Sequence, residues 1–66
     1  MLIVSRRDDE SILIRPGEGA DLQMTLADLF KNGPIEITIF SSSGKRVKMG
    51  VQAPAQLSIW RKNAAA

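Results

Sequence analysis

Sixty-six residues, 44% of them hydrophobic, make one domain at most. A chain this short buries only about 60% of its unfolded surface, so oligomerisation is the expected addition to its core. The lack of cysteine and histidine excludes disulfides and effectively excludes a structural zinc site; with tyrosine absent as well, the side chains of nucleophilic and acid–base catalysis are nearly missing.

The net charge of +2 conceals an asymmetry. Residues 1 to 36 hold all seven carboxylates against Arg6, Arg7, Arg15 and Lys31, whereas residues 37 to 66 hold Lys45, Arg46, Lys48, Arg61 and Lys62 and no acid. The second half therefore carries a positive field suited to a polyanion.

Leu2 to Arg7 form an apolar, β-branched run, Asp8-Asp9-Glu10 turns polar, and Ser11 to Arg15 resume the run, the pattern of two short strands around a tight acidic turn. Pro16-Gly17-Glu18-Gly19 breaks the second strand. From Thr25 the period changes. Leu26, Leu29 and Phe30 fall at i, i+3 and i+4, Thr25 with Asp28 makes a capping-box-like start, and Asn32-Gly33-Pro34 ends the pattern, which predicts a helix of about two turns. After Pro34, Ile35, Ile37 and Ile39 alternate with Glu36, Thr38 and Phe40, and Ser41-Ser42-Ser43-Gly44 supplies a turn. The next strand sets Val47, Met49 and Val51 against Arg46, Lys48, Gly50 and Gln52, so its basic residues share a solvent face. Ala53-Pro54-Ala55 interrupts it, and Leu57 and Ile59 alternate with Ser58 and Trp60 in a last strand ending at Arg61-Lys62. The order β-β-α-β-β-β predicts a mainly β fold, an antiparallel sheet or barrel with one short inserted α-helix. One domain over residues 1 to 63 is expected, with the helix-containing insertion at about 16 to 33 and a tail at 64 to 66.

The apolar run Met1 to Val4 is far shorter than a signal-peptide core and precedes its charges, and no segment approaches the ~20 apolar residues of a membrane span. A cytoplasmic protein is expected, with no membrane partner.

No enzymatic site is legible. Asp8, Asp9 and Glu10 are adjacent, without the spaced ligands of a calcium loop, and read as a solvated turn. The serine run resembles no nucleophile elbow, and Gly17-Glu18-Gly19 lacks the Lys-Ser/Thr of a phosphate loop. No cofactor, metal or small-molecule substrate is expected. The basic residues suit a nucleic-acid backbone. Trp60 admits two readings: a platform on which an unpaired base stacks, or a core or dimer-interface aromatic, which the scarcity of other aromatics favours.

The opening Met1-Leu2-Ile3-Val4-Ser5-Arg6-Arg7, then Glu10-Ser11-Ile12, Gly44-Lys45-Arg46-Val47-Lys48-Met49-Gly50-Val51-Gln52-Ala53-Pro54 and Leu57-Ser58-Ile59-Trp60-Arg61 resemble the CsrA/RsmA family of carbon storage regulators. Family members are small homodimeric β-proteins that bind GGA motifs, usually in hairpin loops of messenger leaders, and commonly repress translation. Small RNAs carrying many such motifs titrate them away. The resemblance implies an intertwined homodimer in which the first strand of one protomer and the last of the other make each RNA site. Val4, Ser5, Leu57 and Ile59 would matter for the backbone they present, Ala53 and Pro54 would shape the adjoining loop, Arg6 would help hold the site or its RNA, and Arg61 would be the principal side-chain anchor.

Three features depart from the family pattern. Asp9 stands where a glycine is usual, the long helix after the last strand is missing, and residues 16 to 33 insert a loop and helix. The insertion resembles the divergent pseudomonad branch called RsmN or RsmF. Leu26, Leu29 and Phe30 offer an apolar cover for the sheet from within the chain. Two further readings stand beside RNA regulation: a diverged paralogue acting as a protein-interaction module, and a DNA-binding swapped-hairpin dimer.

Overall fold

Two apolar, β-branched runs and three alternating segments form five strands in the computed structural model, which describes residues 1–63; the tail expected at 64 to 66 lies outside them. These are β1 (Leu2–Arg7), β2 (Ser11–Pro16), β3 (Glu36–Ser43), β4 (Arg46–Gln52) and β5 (Leu57–Lys62), with one helix, α1 (Leu26–Leu29), between β2 and β3. The mainly β class and the order β-β-α-β-β-β are as expected, and every pairing is antiparallel.

The strands divide into a three-stranded sheet, β1-β4-β3, and a two-stranded sheet, β2-β5. The acidic turn therefore carries the chain from one sheet to the other rather than closing a hairpin. Its geometry is fixed twice by Glu10, whose N–H donates to the Arg7 carbonyl at 3.1 Å and whose Oε1 accepts from the Arg7 N–H at 2.8 Å. Asp9 takes φ 64°, the left-handed value that a type II turn requires at its third position and that glycine normally supplies. The aspartate adopts a conformation ordinarily left to glycine.

In the three-stranded sheet Val4 pairs opposite Met49, and Ile37 opposite Val51, so Leu2, Val4, Met49, Val51, Ile37 and Ile39 share one face. Val4 and Val51 are buried, at 3% and 1% exposure, whereas Ile37 and Ile39 are open. On the other face Arg46 and Lys48 are exposed as expected, but Gly50 is covered. A register shift between Ile39 and Ser41 leaves Phe40 as an extra residue, and its ring lies over Gly50: a Cβ built there would stand 2.6 Å from Phe40 Cε2 and 2.7 Å from Met1 Sδ. Beyond this bulge Ser41, Ser42 and Ser43 continue the strand, so the serines expected to turn the chain do not. The turn is Gly44-Lys45, with Gly44 at φ 59°, a positive angle at the first loop position alone, as in a type II′ hairpin.

The helix has one turn instead of two. Thr25 Oγ1 accepts the Asp28 N–H at 3.1 Å, the cap that the sequence announces. After Leu29 the bonds tighten to three-residue spacing, Lys31 N–H to Asp28 O and Gly33 N–H to Phe30 O, and such turns satisfy the same apolar spacing without prolonging the α-helix. Nor does the helix cover a sheet within this chain: Leu29 is half-buried, but Leu26 is 74% exposed. The result is a slab of 41 × 27 × 13 Å, about one layer deep where folded domains normally stack two. Among the described residues no helix is long and apolar enough to cross a membrane.

Candidate nucleic-acid interface

Val4, Ser5 and Arg6 lie on β1, opposite Met49, Lys48 and Val47. Leu57, Ile59 and Arg61 lie on β5, opposite Pro16, Ile14 and Ile12, and share one face of the two-stranded sheet. Each of β1 and β5 pairs on one side only, so each offers one edge of unpaired main-chain N–H and C=O groups. The residues that the resemblance assigns to main-chain recognition thus occupy two strands whose edges are open.

Arg6 brings the ends of these strands together. Its Nη1 donates to the Ser11 carbonyl at 3.4 Å and the Lys62 carbonyl at 3.5 Å, and its Nε to the Ser5 carbonyl at 2.9 Å. The Glu10 carboxylate lies 3.9 Å from Nε, and this is the one ion pair among the described residues. Ala53 and Pro54 sit at the other end of β5, where the Pro54 carbonyl accepts the Leu57 N–H at 3.0 Å. They line a cleft of about 230 Å³ against Asn32 and Gly33 of the insertion and the following Pro34. Arg61 is exposed, and among the described residues its side chain has neither a hydrogen bond nor an ion pair.

Charge gathers at one end of the three-stranded sheet. Arg7 stands directly opposite Arg46, with Lys48 two positions along the same face and opposite Ser5. Like charges facing across strands repel, and among the described residues no carboxylate comes within ion-pair distance of these three. An anion bound there would relieve the repulsion.

Sequence reasoning passed over Arg15. Its guanidinium carbon lies 5.7 Å from the Trp60 ring centroid, because Arg15 opposes Ser58 while Trp60 opposes Leu13, which makes the two diagonal neighbours. Neither strand's alternation encodes this pairing, since the partners lie more than forty residues apart.

Residues 1–66 match the CsrA family, described as a global regulator protein family. Translational regulator CsrA of Syntrophomonas wolfei is 39% identical over 62 residues, covering 94% of this chain and 59% of that protein. The proteins of the same name from Lachnospira eligens and Ruminiclostridium cellulolyticum are 37% and 34% identical, each covering 94% of this chain and 62% of its own length. The chain thus spans about three fifths of the length of the curated relatives it matches. No solved structure matches it at a significant level. A family match over residues 1–66, the whole length of the chain that sets Arg6 on β1 and Arg61 on β5, means that the chain belongs to the CsrA global regulator family.

Proposed function

We propose that this chain is a post-transcriptional regulator without enzymatic activity. It acts in the cytoplasm as a homodimer, binding GGA motifs in hairpin loops of messenger leaders and in sequestering small RNAs, and mostly represses translation. Residues 1 to 63 form one RNA-binding domain. Val4, Ser5, Leu57 and Ile59 present main chain to the bases, Ala53 and Pro54 shape the loop beside them, Arg6 holds the site, and Arg61 anchors the RNA.

The observation that carries this reading is the exposed Arg61, without a side-chain partner among the described residues, beside the open edge of β5, in a chain whose relatives are named translational regulators. A free guanidinium at a strand edge can fork onto phosphate or a guanine edge while main-chain groups read the neighbouring base. The Arg7, Arg46 and Lys48 cluster adds attraction for the backbone. Dimerisation is supported by the thinness of the core: Val4 and Val51 are its buried apolar side chains, while Ile37 and Ile39 on the same face are 49% and 59% exposed.

The test is a titration at near-physiological salt with a short hairpin presenting GGA in its loop, against the same hairpin with the triplet changed. Tight binding that depends on the triplet is expected; weak binding indifferent to it would overturn the proposal. One observation favours a second reading, a protein-interaction module: Leu22 and Leu26 of the insertion are each 74% exposed. Failure to form hetero-oligomers with an ordinary family member, or to bind another protein partner, would count against it.

A further inference from the structure

The two faces of the β2–β5 ribbon differ in kind. One carries Ile12, Ile14, Pro16, Leu57, Ile59 and, at its end, Arg61. The other carries Ser11, Leu13, Arg15, Ser58, Trp60 and Lys62, with two cations, two hydroxyls and no carboxylate. Trp60 belongs to this second, mostly polar face, where it is 56% exposed and stands opposite Leu13, itself 41% exposed. A tryptophan retained for core burial would sit on the first face, where five of the six side chains are apolar.

Resting on the RNA-binding reading, we propose that Trp60 is a stacking platform for one unpaired RNA base outside the GGA triplet, with Arg15 and Lys62 meeting the adjoining phosphates. Three observations carry it. Arg15 lies over the indole at 5.7 Å, a cation–π distance that sets a positive charge at the stacking surface. The face is cationic, which favours a polyanion over an apolar protein partner. Trp60 is next in sequence to Arg61 and points to the opposite face, so a single strand crossing the open edge of β5 meets the guanidinium on one side and the indole on the other. Stacking reads a π-face that every base has and is tolerant of sequence. The site therefore adds affinity for a base next to the motif without changing the motif.

Trp60 is the one tryptophan of a chain that has no tyrosine, so intrinsic fluorescence reports this position. The experiment is a fluorescence titration of the whole protein with a GGA hairpin carrying extra unpaired loop bases, with binding measured in parallel by anisotropy of labelled RNA. Indole quenching that saturates with the anisotropy curve is expected. W60A should weaken binding about 10-fold while keeping the preference for GGA, and W60F should recover most of the loss. Removing the base at one unpaired loop position should make wild type and W60A equal.

GGA-dependent binding that leaves the indole signal unchanged, or that W60A does not weaken, overturns the platform and leaves the regulator reading standing. A signal that shifts on protein dilution without RNA, and not on adding RNA, also overturns it, because a second copy then covers Trp60. Quenching by single-stranded RNA regardless of the triplet supports the platform and sinks the GGA assignment instead. The absence of any RNA binding overturns both.

Discussion

Arg6 Nη1 lies 3.5 Å from the carbonyl oxygen of Lys62, so a side chain of the first strand is tied to the main chain of the last. The same nitrogen reaches Ser11 O at 3.4 Å, and one guanidinium therefore bridges both strands of the second sheet to the first. Both bonds are long, which limits their strength. R6A is expected to lower stability by about 1 kcal/mol, and R6K to lower it nearly as much, since an ammonium lacks the fork that spans two carbonyls. Urea unfolding of the three proteins checks this; a fully stable R6K would mean that charge alone matters.

Asp9 holds a backbone angle that costs most residues with a Cβ roughly 1–2 kcal/mol. Aspartate tolerates it better than most, and glycine without strain, so D9G should raise stability by about 0.5 kcal/mol despite the looser unfolded chain. D9V should lower it by roughly 1–2 kcal/mol, because a β-branched side chain is least compatible with positive φ. Thermal melts of the pair would give opposite shifts; shifts of the same sign would disprove the turn assignment.

Gly50 is where the Phe40 ring rests. G50A must displace both that ring and the more flexible Met1 thioether, at a cost of about 1 kcal/mol. In F40A the ring is gone, and adding G50A should cost much less. The double-mutant cycle therefore yields a coupling of at least about 0.5 kcal/mol, and strict additivity would mean that the ring does not sit on Gly50 in solution.

Arg61 makes no side-chain hydrogen bond or ion pair within the chain among the described residues, so its loss should be felt in binding rather than in folding. R61A is expected to weaken binding to a GGA hairpin by about 1–3 kcal/mol with an unchanged circular dichroism spectrum and melting temperature. Wild-type affinity in R61A would remove Arg61 from the site.

Ile39 is 59% exposed on the face that holds Val4 and Val51. If a second copy covers that face, I39K buries a charge and abolishes the dimer, whereas T38K on the opposite face leaves it intact. Sedimentation velocity separates the two: wild type and T38K as dimers, I39K as a monomer or unfolded chain. A dimeric I39K would place the interface elsewhere.

Local patterns announced the elements well. Apolar, β-branched runs marked the first two strands and alternation the last three, and Thr25 with Asp28 marked the start of the helix, because these signals depend on neighbours within a few residues. Sheet membership was not legible: Ile12 and Ile14 look equally suited to pairing with β1, and only the folded chain reveals β5 as their partner. The serine run misled for a similar reason. Serine favours turns on its own, but Ser41 and Ser43 fall opposite Lys48 and Arg46, and the ladder overrides the local preference. The candidate site residues could be named from motif alone, whereas the Arg6 bridge and the Arg15–Trp60 contact required the register.

The division of strands between sheets also dictates an order of assembly. Val4 pairs opposite Met49 and Ile12 opposite Arg61, separations of 45 and 49 residues, so neither β1 nor β2 can find its mate until nearly all of these segments have been synthesised. Only β3 and β4, joined by Gly44-Lys45, can zip together early. During translation the first two strands must wait as unpaired β-forming chain, with closure of a long loop still ahead of them, which makes folding slow for so small a protein. It also leaves an interval in which β1 can meet the β4 of another copy as readily as its own.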